Sequence, residues 1–145
     1  MAVKPIPDGY HSVTPYLVCA NAAKVIDFAK ATFNAEELMR MDAPGGKIGH
    51  AEIKIGDSMV MLSDGGPEHP PMPTMLNVYL PDVDAAFARA LKAGATKVRD
   101  LENQFYGDRS GTVKDMAGNL WSISTHVEEV SPEEMEKRMK AHTPG

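Results

Sequence analysis

The chain has 145 residues, with 15 Lys and Arg against 20 Asp and Glu, a net charge of −5 and one cysteine. That length suits a single domain with a real core, and the acidic balance excludes the basic footprint that nucleic acid or an anionic membrane surface selects. No run approaches the roughly 18 apolar residues of a spanning helix, the start lacks the apolar stretch of a secretory signal, and a lone cysteine rules out an internal disulfide or a multi-cysteine metal motif. The expectation is therefore a cytoplasmic protein with neither nucleic acid nor membrane as partner.

In chain order, "TPYLVCA" reads as a strand in which Cys19 is a buried structural thiol. Asn21 is positioned to cap the helix "AAKVIDFAKATF", whose Ala22, Ile26, Ala29 and Phe33 share one face. Asn34 tolerates the left-handed conformation that ends such a helix. Period-two segments follow: "EELMRMDA", "KIGHAEIKIG" and "SMVMLSD". The stretch "GGPEHPPMP" has no periodicity and reads as a linker.

Beyond it the pattern returns. "TMLNVYL" is a strand, Asp82 or Asp84 a cap, "AAFARALKA" a short helix stopped by Gly94, and "TKVRDLENQFY", "SGTVKD" and "NLWSIST" are further strands. Asn34-Ala35 and Gly94-Ala95 lie 60 positions apart (94−34), and the turn glycines Gly56 and Gly118 lie 62 apart (118−56). This is a weak internal repeat. After it, Ser131, Pro132 and Glu134 open a last helix with a capping box. The economical organisation is one α+β domain over 1–145. Two βαβββ repeats occupy about 11–64 and 74–127, joined by the linker 65–73 and followed by a helix at about 131–141, with helices on one face of each sheet.

"TPYLVCANAAKVIDFAKATFNAEEL", "GHAEIKIGDSMVMLSD", "YGDRSGTVKDMAGNLWSISTH" and "EEVSPEEMEKRM" resemble the vicinal oxygen chelate superfamily of glyoxalases, bleomycin-resistance proteins and extradiol dioxygenases, and within it the PhnB-like branch. The resemblance covers roughly Ser12 to Lys140. Asp115-Met116-Ala117-Gly118 departs from the Asp-Pro-Phe-Gly usual in that branch but keeps its glycine. It implies that each repeat curls its sheet into half of a cup that holds ligand, completed at a homodimer interface. In metal-dependent members, four cup-facing positions on the first and last strands of each half supply His or Glu. Those positions fall here on Thr14, Val60 or Met61, Asn77 and Ser122. None is the imidazole, thiolate or carboxylate that a transition metal wants, so the expectation is no metal and no cofactor.

Alternation places His50, Glu52 and Lys54 on one face of "GHAEIKIG". Three readings stand: a polar face in solvent or at a dimer seam, a pair in which Glu52 orients His50 for acid–base work, or a non-standard metal site. In the last strand, Leu120, Ser122, Ser124 and His126 share one face, and Trp121, Ile123 and Thr125 the other. If Ser122 faces the cup, Trp121 packs beneath a helix. Asp108 reads as a turn acceptor, and Arg109 either forms an ion pair or offers its guanidinium to an anionic ligand at the rim.

Ten methionines are many for this length. They fit either core filling or a pliable apolar pocket in which Tyr16, Asn77, Tyr79 and Ser122 supply the orienting polar groups. No nucleotide-binding glycine motif, nucleophile elbow or Cys/His nucleophile pair occurs. The leading expectation is a metal-free protein that binds an aromatic or amphipathic small molecule. The alternative is a metal-dependent glyoxalase-like lyase or dioxygenase, with His50 and Glu52 the weak catalytic candidates.

Overall fold

The computed structural model describes residues 2–142. Its elements run β1 (Tyr16–Cys19), α1 (Ala22–Phe33), β2 (Glu36–Ala43), β3 (Lys47–Ile55), β4 (Ser58–Asp64), β5 (Met75–Tyr79), α2 (Val83–Lys92), β6 (Thr96–Asn103), β7 (Asp108–Lys114), β8 (Leu120–His126) and α3 (Pro132–His142). The strands form two four-stranded sheets in the orders β1-β4-β3-β2 and β5-β8-β7-β6. In each, the first strand runs parallel to the last and the rest are antiparallel. This is an α+β fold of two βαβββ units followed by a helix.

Local chemistry sets the element ends. The Asn21 side chain accepts from the backbone N–H of Lys24, and the Asp82 side chain from that of Ala85, capping α1 and α2. Asn34 ends α1 at φ 56°, where its short polar side chain lowers the steric cost of the left-handed conformation. Ser131 Oγ accepts from Glu134 N–H at the start of α3.

Each sheet has one face under helices and one helix-free, open face. Leu17, Cys19, Ala51, Ile53 and Leu62 of the first sheet, with Val113, Trp121 and Ile123 of the second, join Val25, Phe28 and Phe87 of the helices in one buried core. Burial pushes the Cys19 thiol up to about 11, so it behaves as a small apolar group.

Trp121 ties the halves together. Its ring lies 5.7 and 5.4 Å from those of Phe28 and Phe33 on the first half's helix, and Arg89 of α2 donates to the Thr32 carbonyl at 3.0 Å. Gly111 lies inside β7 and not in a turn. A Cβ there would come within 2.7 Å of Phe87 Cε2, so glycine is what lets α2 lie close against the sheet.

Candidate functional site

Strand pairing fixes which residues share the open face of the first sheet. Tyr16 pairs with Met61 and Val18 with Ser63, Glu52 pairs with Met61, and Met39 and Met41 lie opposite Glu52 and His50. A cleft of about 760 Å³ opens here, with Tyr16, Val18, Ile48 and Ser63 among its lining and Gly65 to His69 as one wall. That wall belongs to the linker. It is held by Gly65 N–H to the Cys19 carbonyl at 2.9 Å and by a bridge between Met72 and Val18 on the free edge of β1. His69 is thus an exposed residue that also borders the cleft.

A chain of polar groups crosses this face. His50 Nε2 lies 2.9 Å from Glu52 Oε2, His50 Nδ1 lies 3.2 Å from Tyr16 Oη, and Tyr16 Oη lies 3.2 Å from Ser63 Oγ. His50 and Glu52, expected to share a face, do so and are bonded. Both are only 25 % and 18 % exposed at the side chain, which limits competition from water.

The open face of the second sheet carries a different arrangement. Tyr79 donates to Asp108 Oδ2 at 2.5 Å, His126 Nδ1 lies 2.8 Å from Asp108 Oδ1, and His126 Nε2 lies 3.2 Å from Glu129 Oε1. Asp108 is buried and gathers a phenol and an imidazole across three strands instead of accepting within its own turn. Its hydrogen bond raises the His126 pKa above the ordinary 6.5 with help from Glu129, and raises the Tyr79 phenol above its ordinary 10.0.

Around them lie Ser110, Thr112, Ser122 and Ser124, all buried. Ser124 donates to Asn77 Oδ1 at 2.9 Å. The floor of this half is therefore polar, and Ser110 Oγ accepts from Arg99 Nη2 at 3.4 Å.

The remaining candidates separate. Thr14 precedes β1 and its hydroxyl donates to the His11 carbonyl at 3.4 Å. Val60 is buried on the helix side, which leaves Met61 as the β4 residue on the open face. Asn77 and Tyr79, with Val60, line a second crevice of about 470 Å³ where the halves meet. Arg109 departs from the rim reading. It pairs with Thr125 on the helix-covered side, and its guanidinium forks onto Asp84 of α2 at 3.0 and 2.9 Å.

Ser63 is the residue that sequence reasoning missed. Asn77 pairs with Ser122 and Tyr16 with Met61, each partner being 61 positions from its counterpart (77−16 and 122−61), the spacing that also separates the helix caps Asn21 and Asp82 (82−21). The internal counterpart of Asn77–Ser122 is thus Tyr16–Met61, with Tyr16 rather than Thr14 on the first strand. Ser63 lies two residues beyond Met61, on the cleft's lining beside Tyr16.

The four positions now read tyrosine, methionine, asparagine and serine, which offer no carboxylate, thiolate or imidazole. Among the described residues, no group of three or more His, Cys, Asp or Glu is arranged to hold a metal ion. The donor set does not fit the metal that the resemblance implies.

Comparison with known proteins agrees with this architecture. A protein of Mycobacterium bovis named "Uncharacterized protein Mb0911c" is 40% identical over 145 residues, spanning 92% of this chain and 95% of its own. TioX from Micromonospora sp. ML1 superposes with a TM-score of 0.68 at 28% identity, over 81% of this chain and 99% of its own. TnmS3, described as an antibiotic binding protein from Streptomyces sp. CB03234, shares the fold with a TM-score of 0.62 at 22% identity, over 87% and 98%. The model of one family matches residues 9–123. With two βαβββ units and that match over most of its length, the chain belongs to the Glyoxalase/Bleomycin resistance protein/Dioxygenase superfamily.

Proposed function

We propose that the chain is a cytoplasmic small-molecule-binding protein that works as a homodimer and holds an aromatic or amphipathic ligand without a metal. The observation that carries this reading is the cleft over the first sheet. Its volume of about 760 Å³ falls within the ~300–1,000 Å³ of ligand sites, and its lining offers the Tyr16 ring, the Val18 and Ile48 side chains and the Tyr16 and Ser63 hydroxyls. That TnmS3, an antibiotic binding protein, has the same fold supports the small-molecule reading.

The dimer follows from what the open faces present. Tyr16, Met41, Met75 and Tyr79 are 44%, 57%, 59% and 60% exposed, and an isologous partner would cover both faces at once. No helix among the described residues is long and apolar enough to cross a membrane, and the single buried cysteine suits a reducing compartment.

The alternative, a metal-dependent glyoxalase-like lyase or dioxygenase, needs His or Glu where Tyr16, Met61, Asn77 and Ser122 stand. Calorimetric titration with a panel of planar aromatic and amphipathic compounds tests the binding reading. Saturable binding at one site per chain supports it, and heats of dilution across the whole panel contradict it.

A further inference from the structure

We propose that the Glu52–His50–Tyr16 chain makes the cleft selective for ligands with a weakly acidic hydroxyl, a phenol or an enol, and binds them as the oxyanion. This rests on the binding reading above and deepens it. The argument is a count of protons. A carboxylate only accepts, so with Glu52 2.9 Å from His50 Nε2 that nitrogen carries a hydrogen. A neutral imidazole then presents Nδ1 as an acceptor, and the group 3.2 Å from it is the Tyr16 hydroxyl. Tyr16 has one proton: it donates either to Ser63 Oγ, 3.2 Å away, or to His50, and in the second arrangement the Ser63 hydroxyl turns to donate to Tyr16. One lone pair on Tyr16 Oη is left, and Tyr16 lines the cleft. The group that satisfies it is a hydroxyl donor on the ligand.

The same chain carries the proton onward. The ligand O–H bond breaks and its proton passes to Tyr16 Oη as the Tyr16 proton passes to His50 Nδ1. The products are a ligand oxyanion, a tyrosine restored to its neutral form and an imidazolium. No atom or electron is left over. The imidazolium faces the Glu52 carboxylate at 2.9 Å, and the oxyanion gains the Tyr16 hydroxyl as a donor, a hydrogen bond that strengthens once its acceptor is charged.

The other charged groups around His50 are few. Lys54 shares its strand and face, and Met39 and Met41 are the β2 residues opposite Glu52 and His50. Asp42 lies opposite Ile48. On the cleft lining are Lys47, Asp64, Glu68 and His69. Asp64 is engaged by the backbone N–H groups of Ala22 and Ile48 at 2.9 and 2.7 Å, so it does not compete for the histidine. The second sheet lacks the device. There the carboxylate of Asp108 stands between Tyr79 and His126, and a phenol that donates to a carboxylate has no base behind it to take its proton.

The experiment uses 4-nitrophenol, whose phenolate absorbs at longer wavelength than the phenol, and its methyl ether 4-nitroanisole, which lacks the proton. Both are titrated into the full chain and into Tyr16→Phe and His50→Gln variants whose circular dichroism matches the parent. The expected result is that bound 4-nitrophenol changes to phenolate about one pH unit lower than in buffer, a tenfold bias toward the anion, and binds more tightly than 4-nitroanisole. The shift disappears in both variants, and 4-nitrophenol loses its advantage over 4-nitroanisole. If both probes bind equally with no spectral shift, or if Tyr16→Phe keeps the shift, the relay is wrong and the pocket reading stands. If neither probe binds, both fall together.

Discussion

Trp121 Nε1 donates to Asp115 Oδ2 at 2.8 Å, deep in the core. The same carboxylate takes the backbone N–H groups of Ala117 and Asn119 and the Asn119 amide, at 2.8, 3.0 and 3.1 Å. One acidic side chain thus closes the β7–β8 turn and orients the ring that joins the two halves. Trp121→Ala removes a large buried side chain, and its expected cost is about 3–5 kcal/mol. Asp115→Ala strips a charged acceptor from four donors and should cost about 3 kcal/mol. Denaturant unfolding of both variants checks the pair, and a loss under 1 kcal/mol for Trp121→Ala would show that the ring is not the keystone.

Ser63→Trp should behave in the opposite way. Ser63 sits on the cleft lining rather than beneath a helix, so the added volume goes into the cleft and not into packed core. The expected outcome is loss of ligand binding with a melting temperature within about 4 °C of the parent. Retained affinity would move the site away from the first sheet.

How much of this was legible beforehand depends on the range of the interaction that decides each feature. Asn21, Asn34, Asp82 and Ser131 act on backbone groups within a few residues, so their capping roles could be read from the string. The face of Trp121 followed from alternation within β8. The ligand-position register did not. "TPYLV" and "TMLNV" match best at a spacing of 60 (74−14), yet the caps Asn21 and Asp82 and the pairs Tyr16–Met61 and Asn77–Ser122 relate the halves at 61. Because side chains alternate, a slip of one residue exchanges faces. Only pairing across some forty-five residues sets it (61−16 and 122−77). The Tyr16–Ser63 and Tyr79–Asp108 contacts were hidden for the same reason.

The His126–Asp108 pair makes stability depend on pH with a defined sign. The folded-state pKa of His126 is raised above 6.5 by Asp108 and then Glu129, so the pair's contribution is fully present below about 6.5 and is lost as pH rises through the folded value. Comparing the parent with His126→Gln, the stability difference should be largest near pH ~5.5 and vanish by pH ~9. A difference that grows with pH would contradict the pairing.

Self-association is testable through the open faces. Light scattering at micromolar concentration should give twice the 15.7 kDa chain mass. Met41→Glu, a charge on the exposed part of the first open face, should weaken association about tenfold or more. A monomer in the parent protein would leave the open faces without the cover assigned to them.

The central claim is that the pocket works without a metal, and elemental analysis of protein purified without chelator tests it most directly. The account predicts zinc, nickel, iron and manganese all far below one equivalent per chain after dialysis, since tyrosine, methionine, asparagine and serine occupy the positions where ligands would be needed. About one equivalent of a single transition metal per chain, retained through dialysis, would contradict it.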